Sequence, residues 1–214
     1  MADIFREIDE ELRRDNLAKL WARYGNSVIA AAVVVVLVTA GIVGWRQYEA
    51  RQRQDEGARY AAALDLARQG KTAAAADAFA AIGRDAHASQ AMLARFEQAS
   101  LDIRQGDPAA SIALYDAIAK DGSLEPVYRD LATLLAIRYE FDKQDPKAVI
   151  DRLKPLTDAA SPWHPTALEL TALAELKAGD KNAARQSYQK LADDLAAPPG
   201  IRARATEMIA ALGQ

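Results

Sequence analysis

Two histidines, His87 and His164, are the side chains best suited to acid–base or metal chemistry in this 214-residue sequence, which has no cysteine. A transition-metal centre draws on several imidazole, thiolate or carboxylate ligands, and neither histidine belongs to an HExxH helix or a Cys/His cluster. Without a thiol there is no Cys–His nucleophile pair. A Ser–His–Asp set stays open on composition alone, but no serine stands in a GxSxG turn, and no glycine-rich loop has Walker or Rossmann spacing. Carboxylates are plentiful, yet their four-residue pairing with Lys and Arg is the ordinary pattern of a solvated helix face. The inventory assigns no catalytic residue, no metal and no cofactor, so the expected mode of action is binding.

Lys and Arg number 27 against 30 Asp and Glu, a net charge of −3, which gives no electrostatic reason to expect nucleic acid as a partner. The bulky aliphatic residues crowd into residues 27–45, SVIAAAVVVVLVTAGIVGW, which contain no charge. As a helix this run spans roughly 28 Å, the thickness of a bilayer's hydrocarbon core. Trp21 and Tyr24 precede it and Trp45 and Tyr48 end it, where amphipathic rings settle at the headgroup level. Two other readings compete: a buried core helix, and a cleaved signal peptide with Val38 and Ala40 before the cut. Against the second stands an upstream stretch carrying Asp3, Glu7, Asp9, Glu10, Glu11 and Asp15.

Basic residues are balanced across the run, with Arg13, Arg14, Lys19 and Arg23 before it and Arg46, Arg51, Arg53 and Arg59 after it. Arg6 tips the count toward a cytosolic N-terminus. Ile4, Ile8 and Leu12 recur at helical spacing in the tail, and Ala40 and Gly44 are small residues one turn apart within the run. The expected organisation is a charged cytosolic tail (1–25), a transmembrane helix (26–45), a polar helical stalk (46–57, with Gly57 as a hinge) and a helical domain (58–214).

That domain repeats. Tyr60, Phe96, Leu134 and Glu169 form a column, and parallel columns run through Ala63, Ala99, Ile137 and Ala172, and through Ala67, Ile103, Phe141 and Leu176. A turn column follows in Gly70, Gly106, Gln144 and Gly179. Three more come after it: Ala75, Ser111, Val149 and Ala184; Phe79, Tyr115, Leu153 and Tyr188; Ile82, Ile118, Leu156 and Leu191. Two runs of helical spacing about a glycine make a helical hairpin, and hairpins of constant period stack to bury what one leaves bare. Glu169 breaks its column, and the adjacent Leu168 is expected to take the buried place. Gly106-Asp107-Pro108 and Gln144-Asp145-Pro146 read as stop, cap and first-turn proline. Residues 161–165 (SPWHP) mark a further break, and residues 201–212 a terminal helix closing the stack.

The small-x-x-x-aromatic-x-x-aliphatic pattern about a turn glycine resembles the tetratricopeptide repeat. The expected fold is all-α, one transmembrane helix followed by a right-handed solenoid of about four such hairpins and a C-terminal capping helix. First helices of such units line a concave face, here expected to hold Asp65, Arg68, Glu97, Leu101, Arg104, Leu135, Tyr139, Asp142, Leu170 and Lys177 as a partner-binding groove. Arg68, Arg104, Asp142 and Lys177 share one column, so three units would present a cation at one height. A plain amphipathic face with no ligand is the competing reading.

The order of charged tail, membrane span, Gly44-Trp45-Arg46-x-Tyr48 exit, stalk and repeats resembles the YfgM-like family of bacterial inner-membrane proteins. That resemblance implies an ancillary subunit of the Sec translocon, with the repeats in the periplasm beside membrane-anchored chaperones of the prolyl-isomerase type. It implies no catalytic motif. The expected partners are therefore proteins (translocon, periplasmic chaperone or prolyl isomerase, unfolded client) and, through the anchor, the lipid bilayer. The alternative is a structural scaffold or self-associating homo-oligomeric tether of a cell-envelope complex such as cell-division machinery.

Overall fold

The computed structural model describes residues 2–85 and 88–213, with no account of the side chains of residues 2–17, 19, 20, 27, 28, 31 and 88. His87 and the side chains of Ile4, Ile8 and Leu12 thus lie outside the described residues. Every element among those described is helical: α1 (Ala2–Arg68), α2 (Thr72–Asp85), α3 (Ala88–Arg104), α4 (Pro108–Lys120), α5 (Pro126–Glu140), α6 (Pro146–Leu153), a 3₁₀ turn (Lys154–Thr157), α7 (His164–Lys177), α8 (Lys181–Asp193) and α9 (Pro199–Leu212). The chain divides into two compact units, Met1–Asp55 and Glu56–Gln214.

In the first unit α1 is a single helix with no break, and it continues unbroken through Gly57, where the sequence suggested a hinge. It contains a segment long and apolar enough to cross a membrane, and no part of its most apolar window is buried by the rest of the chain. The core-helix reading fails on that observation, since a core helix hides its apolar surface in its own protein. Val36 and Leu37 are each about two-thirds exposed (65% and 66%). The hydroxyl of Thr39, the one polar side chain of the run from residue 29 to 44, donates to the Val35 carbonyl at 2.7 Å. That bond leaves the helix surface with no unmet polar group at this height. Trp21, Tyr24, Trp45 and Tyr48 are all exposed, the last two with ring centroids 6.3 Å apart, and the Arg23 guanidinium lies 5.7 Å from the Tyr24 ring.

In the second unit the repeat columns are the core. Ala63, Ala99, Ile137 and Ala172 are all fully buried, as are Ala75, Ser111, Val149 and Ala184 to within 2%. Phe79, Tyr115, Leu153 and Tyr188 fill the space these small residues leave, and Ile82, Ile118, Leu156 and Leu191 close it. Leu168 takes the buried place beside Glu169. Each of the four apolar clusters draws on three consecutive helices. Ala63 of α1 meets Phe79 of α2 and Leu101 of α3, and Ala99 of α3 meets Tyr115 of α4 and Ala136 of α5. Ile137, Leu153 and Ala174 do the same for α5, α6 and α7, as do Ala172, Tyr188 and Ala205 for α7, α8 and α9.

Polar contacts recur with the same period. Arg152 of α6 pairs with Asp116 of α4 at 2.9 Å, 36 residues away, and with Glu140. Asp121, Asp158 and Asp194 each accept a backbone N–H two residues on, from Ser123, Ala160 and Ala196. These are Asx-turns between hairpins, a column invisible to a search confined to apolar residues and glycines. The Ser123 hydroxyl, with its amide, holds the Asp121 carboxyl below its usual range.

The turns inside the hairpins explain the one exception in the glycine column. Gly70, Gly106 and Gly179 adopt φ of 75°, 83° and 85°, and the following N–H reaches back to Leu66, Asp102 and Glu175. That is the Schellman closure, which satisfies the last helical carbonyls and needs a left-handed residue. Gln144 has no positive φ. Instead the Lys177 ammonium, from the end of α7, donates to the carbonyls of Phe141 (2.7 Å), Asp142 (2.9 Å) and Gln144 (3.3 Å), and lies 5.5 Å from the centre of the Phe141 ring.

Two outcomes follow for the full chain in detergent micelles. Lys177→Ala lowers unfolding free energy by about 1–2 kcal/mol, the scale of hydrogen bonds to a charged donor. The loss shrinks in a Gln144→Gly background, where a left-handed residue restores the missing closure; equal losses in both backgrounds would refute the capping role. The second concerns Tyr188, buried with no partner for its hydroxyl among the described residues, whose phenol is pushed up to about 12 by burial, then by the charges of Glu169 and Glu175. A raised phenol pKa means the fold holds the neutral form, so this stability is complete below pH 10 and drains away as pH rises toward 12. Tyr188→Phe is expected to melt no lower than wild type at pH 7, and to gain about 1 kcal/mol over it by pH 11 in alkaline denaturation.

Candidate functional site

α7 is tied to α5 at both ends. Near the start, the Trp163 indole N–H donates to the Val127 carbonyl at 2.9 Å; at the finish, Lys177 holds the α5 terminus. Start meets start and end meets end, so the two helices run parallel. Between the ties lies a cavity of about 620 Å³. Leu131, Leu134 and Leu135, at helical i, i+3, i+4 spacing, form one wall, and Leu170 and Leu173 form the other, with Trp163 at one end. Arg138 continues the α5 stripe at the opposite end, and Asp142 follows in the turn after that helix. Its volume is that of a ligand pocket, and its mostly apolar lining with a few placed charges suits a polypeptide surface better than a polar metabolite.

The charges differ in availability. Glu169 is held by Arg204 of α9 through two parallel bonds of 2.7 and 2.8 Å. Bidentate pairing of this kind fixes both groups, although Arg204 is more than half exposed and solvent screens the attraction. Arg138 makes no hydrogen bond or ion pair among the described residues.

The residues expected to form the groove part company here. Leu135, Asp142 and Leu170 come together at the cavity. Leu101 does not reach any surface: it is 0% exposed in the core of α1, α2 and α3, because its side chain points to the hairpin interior and not to the concave side. Lys177 donates to the carbonyls of the turn after α5, and Arg68 pairs with Asp65 on its own helix at 3.1 Å, so two of the three cations expected at one height have partners within the chain. Arg104 is exposed at the end of α3, away from the cavity lining. Tyr139 is 38% exposed and stacks on Tyr115, centroids 6.1 Å apart and planes 4° from parallel. Glu97 is half-buried near Tyr60 and Tyr115, whose phenols are raised first by burial and further by its charge.

Leu131, Arg138, Trp163, Thr166, Leu173 and Arg204 also line the cavity and stand in none of the expected columns. All but Arg204 lie on the stripes of Leu135 and Leu170 one turn or two away, so extending the columns along each helix reaches them. Arg204 belongs to the terminal helix, outside every column. His164 opens α7 with Nδ1 2.8 Å from the Thr157 carbonyl, a structural bond, and no group of three or more metal-ligating side chains occurs among the described residues.

No curated protein and no solved structure matches the chain. A family model described as a tetratricopeptide repeat-like domain matches residues 18–208. The match begins before the apolar run and ends in α9, so it takes in the exposed helix as well as the stacked hairpins. Domains of this kind generally act as non-catalytic adaptors that bind other proteins. By a match over most of its length, supported by helical hairpins that share their cores, this chain belongs to the tetratricopeptide repeat-like domain family.

Proposed function

We propose that the protein is a membrane-anchored, non-enzymatic adaptor that holds a partner polypeptide in the cavity between α5 and α7. The observation that carries this reading is the cavity itself: largely apolar walls from two helices, open to solvent, crossed by the Glu169–Arg204 pair and with Arg138 and Asp142 at one end. The domain is proposed to be a right-handed solenoid of four hairpins over residues 58–214, capped by α9. α1 is proposed to span the bilayer once through residues 26–45, with residues 1–25 cytosolic, residues 46–57 as stalk and the hairpins in the periplasm of a bacterial envelope. The exposure of the apolar run and the tryptophan and tyrosine at each end support the anchor.

Within that frame the partners are the Sec translocon, a periplasmic chaperone or prolyl isomerase, and the exported clients passing between them. This assignment rests on the resemblance of the tail, span, exit and repeats to the YfgM-like family.

The test joins topology to contact. A compartment-sensitive reporter fused after Gln214, with protease added to intact spheroplasts, is expected to show an accessible, membrane-retained C-terminus; a protected one would place the hairpins in the cytosol. A photocrosslinker replacing Leu173 is expected to capture a translocon subunit or a periplasmic chaperone, whereas one replacing Leu195, 87% exposed between α8 and α9, captures neither. Leu170→Glu should lower recovery of those partners at least tenfold. Undiminished recovery would remove the cavity from the mechanism and favour a scaffold using other surfaces.

A further inference from the structure

Resting on the groove assignment, the occupant's form can be argued from what the cavity lacks. An extended peptide brings an unpaired N–H and C=O at every residue, and in an apolar groove each must find a partner. The lining offers few. It contains no Asn or Gln; the Trp163 indole N–H is spent on Val127 and Glu169 is held by Arg204, which leaves the Thr166 hydroxyl and, at one end, the Arg138 and Asp142 side chains to meet the many backbone groups of a chain crossing the whole cavity. The helical walls hold their own backbone groups. A helix, by contrast, satisfies its backbone internally and presents ridges that match the spacing of two parallel helical walls. From Trp163 at the N-cap of α7 to Leu173, the α7 wall runs roughly 15 Å, about three helical turns.

The charges then set a register. Arg138 near the end of α5 and Asp142 in the turn just after it stand at the same end; their side chains make no ion pair with each other or with any other described residue, while the Asp142 carbonyl accepts from Lys177. We infer that the cavity receives a three-turn amphipathic helix of another protein. Its apolar side chains at i, i+3 or i+4, and i+7 fill the space between Leu135 and Leu170. Beyond them an acidic residue meets Arg138 and a basic residue one turn further meets Asp142. An opposite-charge order would set like charges against each other and is disfavoured.

The test uses the full-length chain in lipid nanodiscs and a displayed library of 14-residue alanine-based helical peptides. The apolar-stripe positions and the two end positions are randomised, and empty nanodiscs remove lipid binders. Wild type is expected to enrich large aliphatic or aromatic residues on the stripe, with the acid and base in the stated order. Selection on Arg138→Glu should exchange the acid for Lys or Arg. The synthesised wild-type consensus, read by fluorescence anisotropy, should bind Arg138→Glu at least tenfold more weakly, and its Lys-exchanged version should regain that loss. Enrichment of sequences without the helical stripe, or failure to enrich any, overturns the helix. An unchanged consensus on Arg138→Glu overturns the register while leaving the groove standing. Peptides that bind Leu170→Glu as tightly as wild type refute the groove reading itself. A Leu170→Glu chain that sediments as monomer where wild type sediments as dimer assigns the cavity to a second copy and overturns the proposal.

Discussion

The packing of one first helix against two second helices is the constraint on which the rest of the second unit depends. Ala99 of α3 belongs to a cluster with Tyr115 and Ala136, while Leu101 of the same helix belongs to the cluster of Ala63 and Phe79. No hairpin closes a core alone. The small residues at 63, 99 and 172 let backbones approach closely enough for an aromatic or leucine to be buried next door. Burying such a side chain stabilises by about 1.5–3 kcal/mol, and truncating it costs more because a cavity remains. Stability is therefore a property of neighbours, and the last hairpin requires α9 to cover Tyr188 and Leu191.

The departure of the third turn from glycine is coupled to the site. Without a left-handed residue at Gln144, the chain leaves α5 through a turn whose carbonyls at Phe141, Asp142 and Gln144 are met by Lys177 reaching across from α7. The same bond ties the far end of α7 to α5, while Trp163 ties the near end. Helices fixed at both ends with leucines between them hold an open, apolar space in a defined shape. A binding surface of this kind needs little ordering when a partner arrives, which reduces the entropic cost of association.

The apolar run of α1 sits under the opposite constraint. Its valines, isoleucines and leucine from residue 29 to 43 are exposed on every side within the chain, at about 25 cal/mol per Å² of unfavourable contact if water were the solvent. With Thr39 bonded internally and every backbone group in a helix, the run is suited to hydrocarbon and poorly suited to water.

Much of this was legible in the residues. Columns of small, aromatic and aliphatic side chains recurring every 35 to 38 residues specify hairpins because burial selects for size at each position, and the buried columns match those read from spacing. Glycine at 70, 106 and 179, with aspartate at 107, 145 and 180, marks turns because these residues meet local backbone demands that distant contacts do not alter. The site was only half legible. Leu135, Asp142 and Leu170 were found, but the orientation of Leu101 into the core turns on a rotation of α3 that one-dimensional spacing does not resolve. Whether a lysine faces a groove or caps a helix 36 residues away depends on where α5 ends relative to α7. Arg138 has no partner among the described residues for the same reason that Arg204 has one: which charges find partners is decided by helices that meet only in the folded chain, and tertiary structure alone determines that.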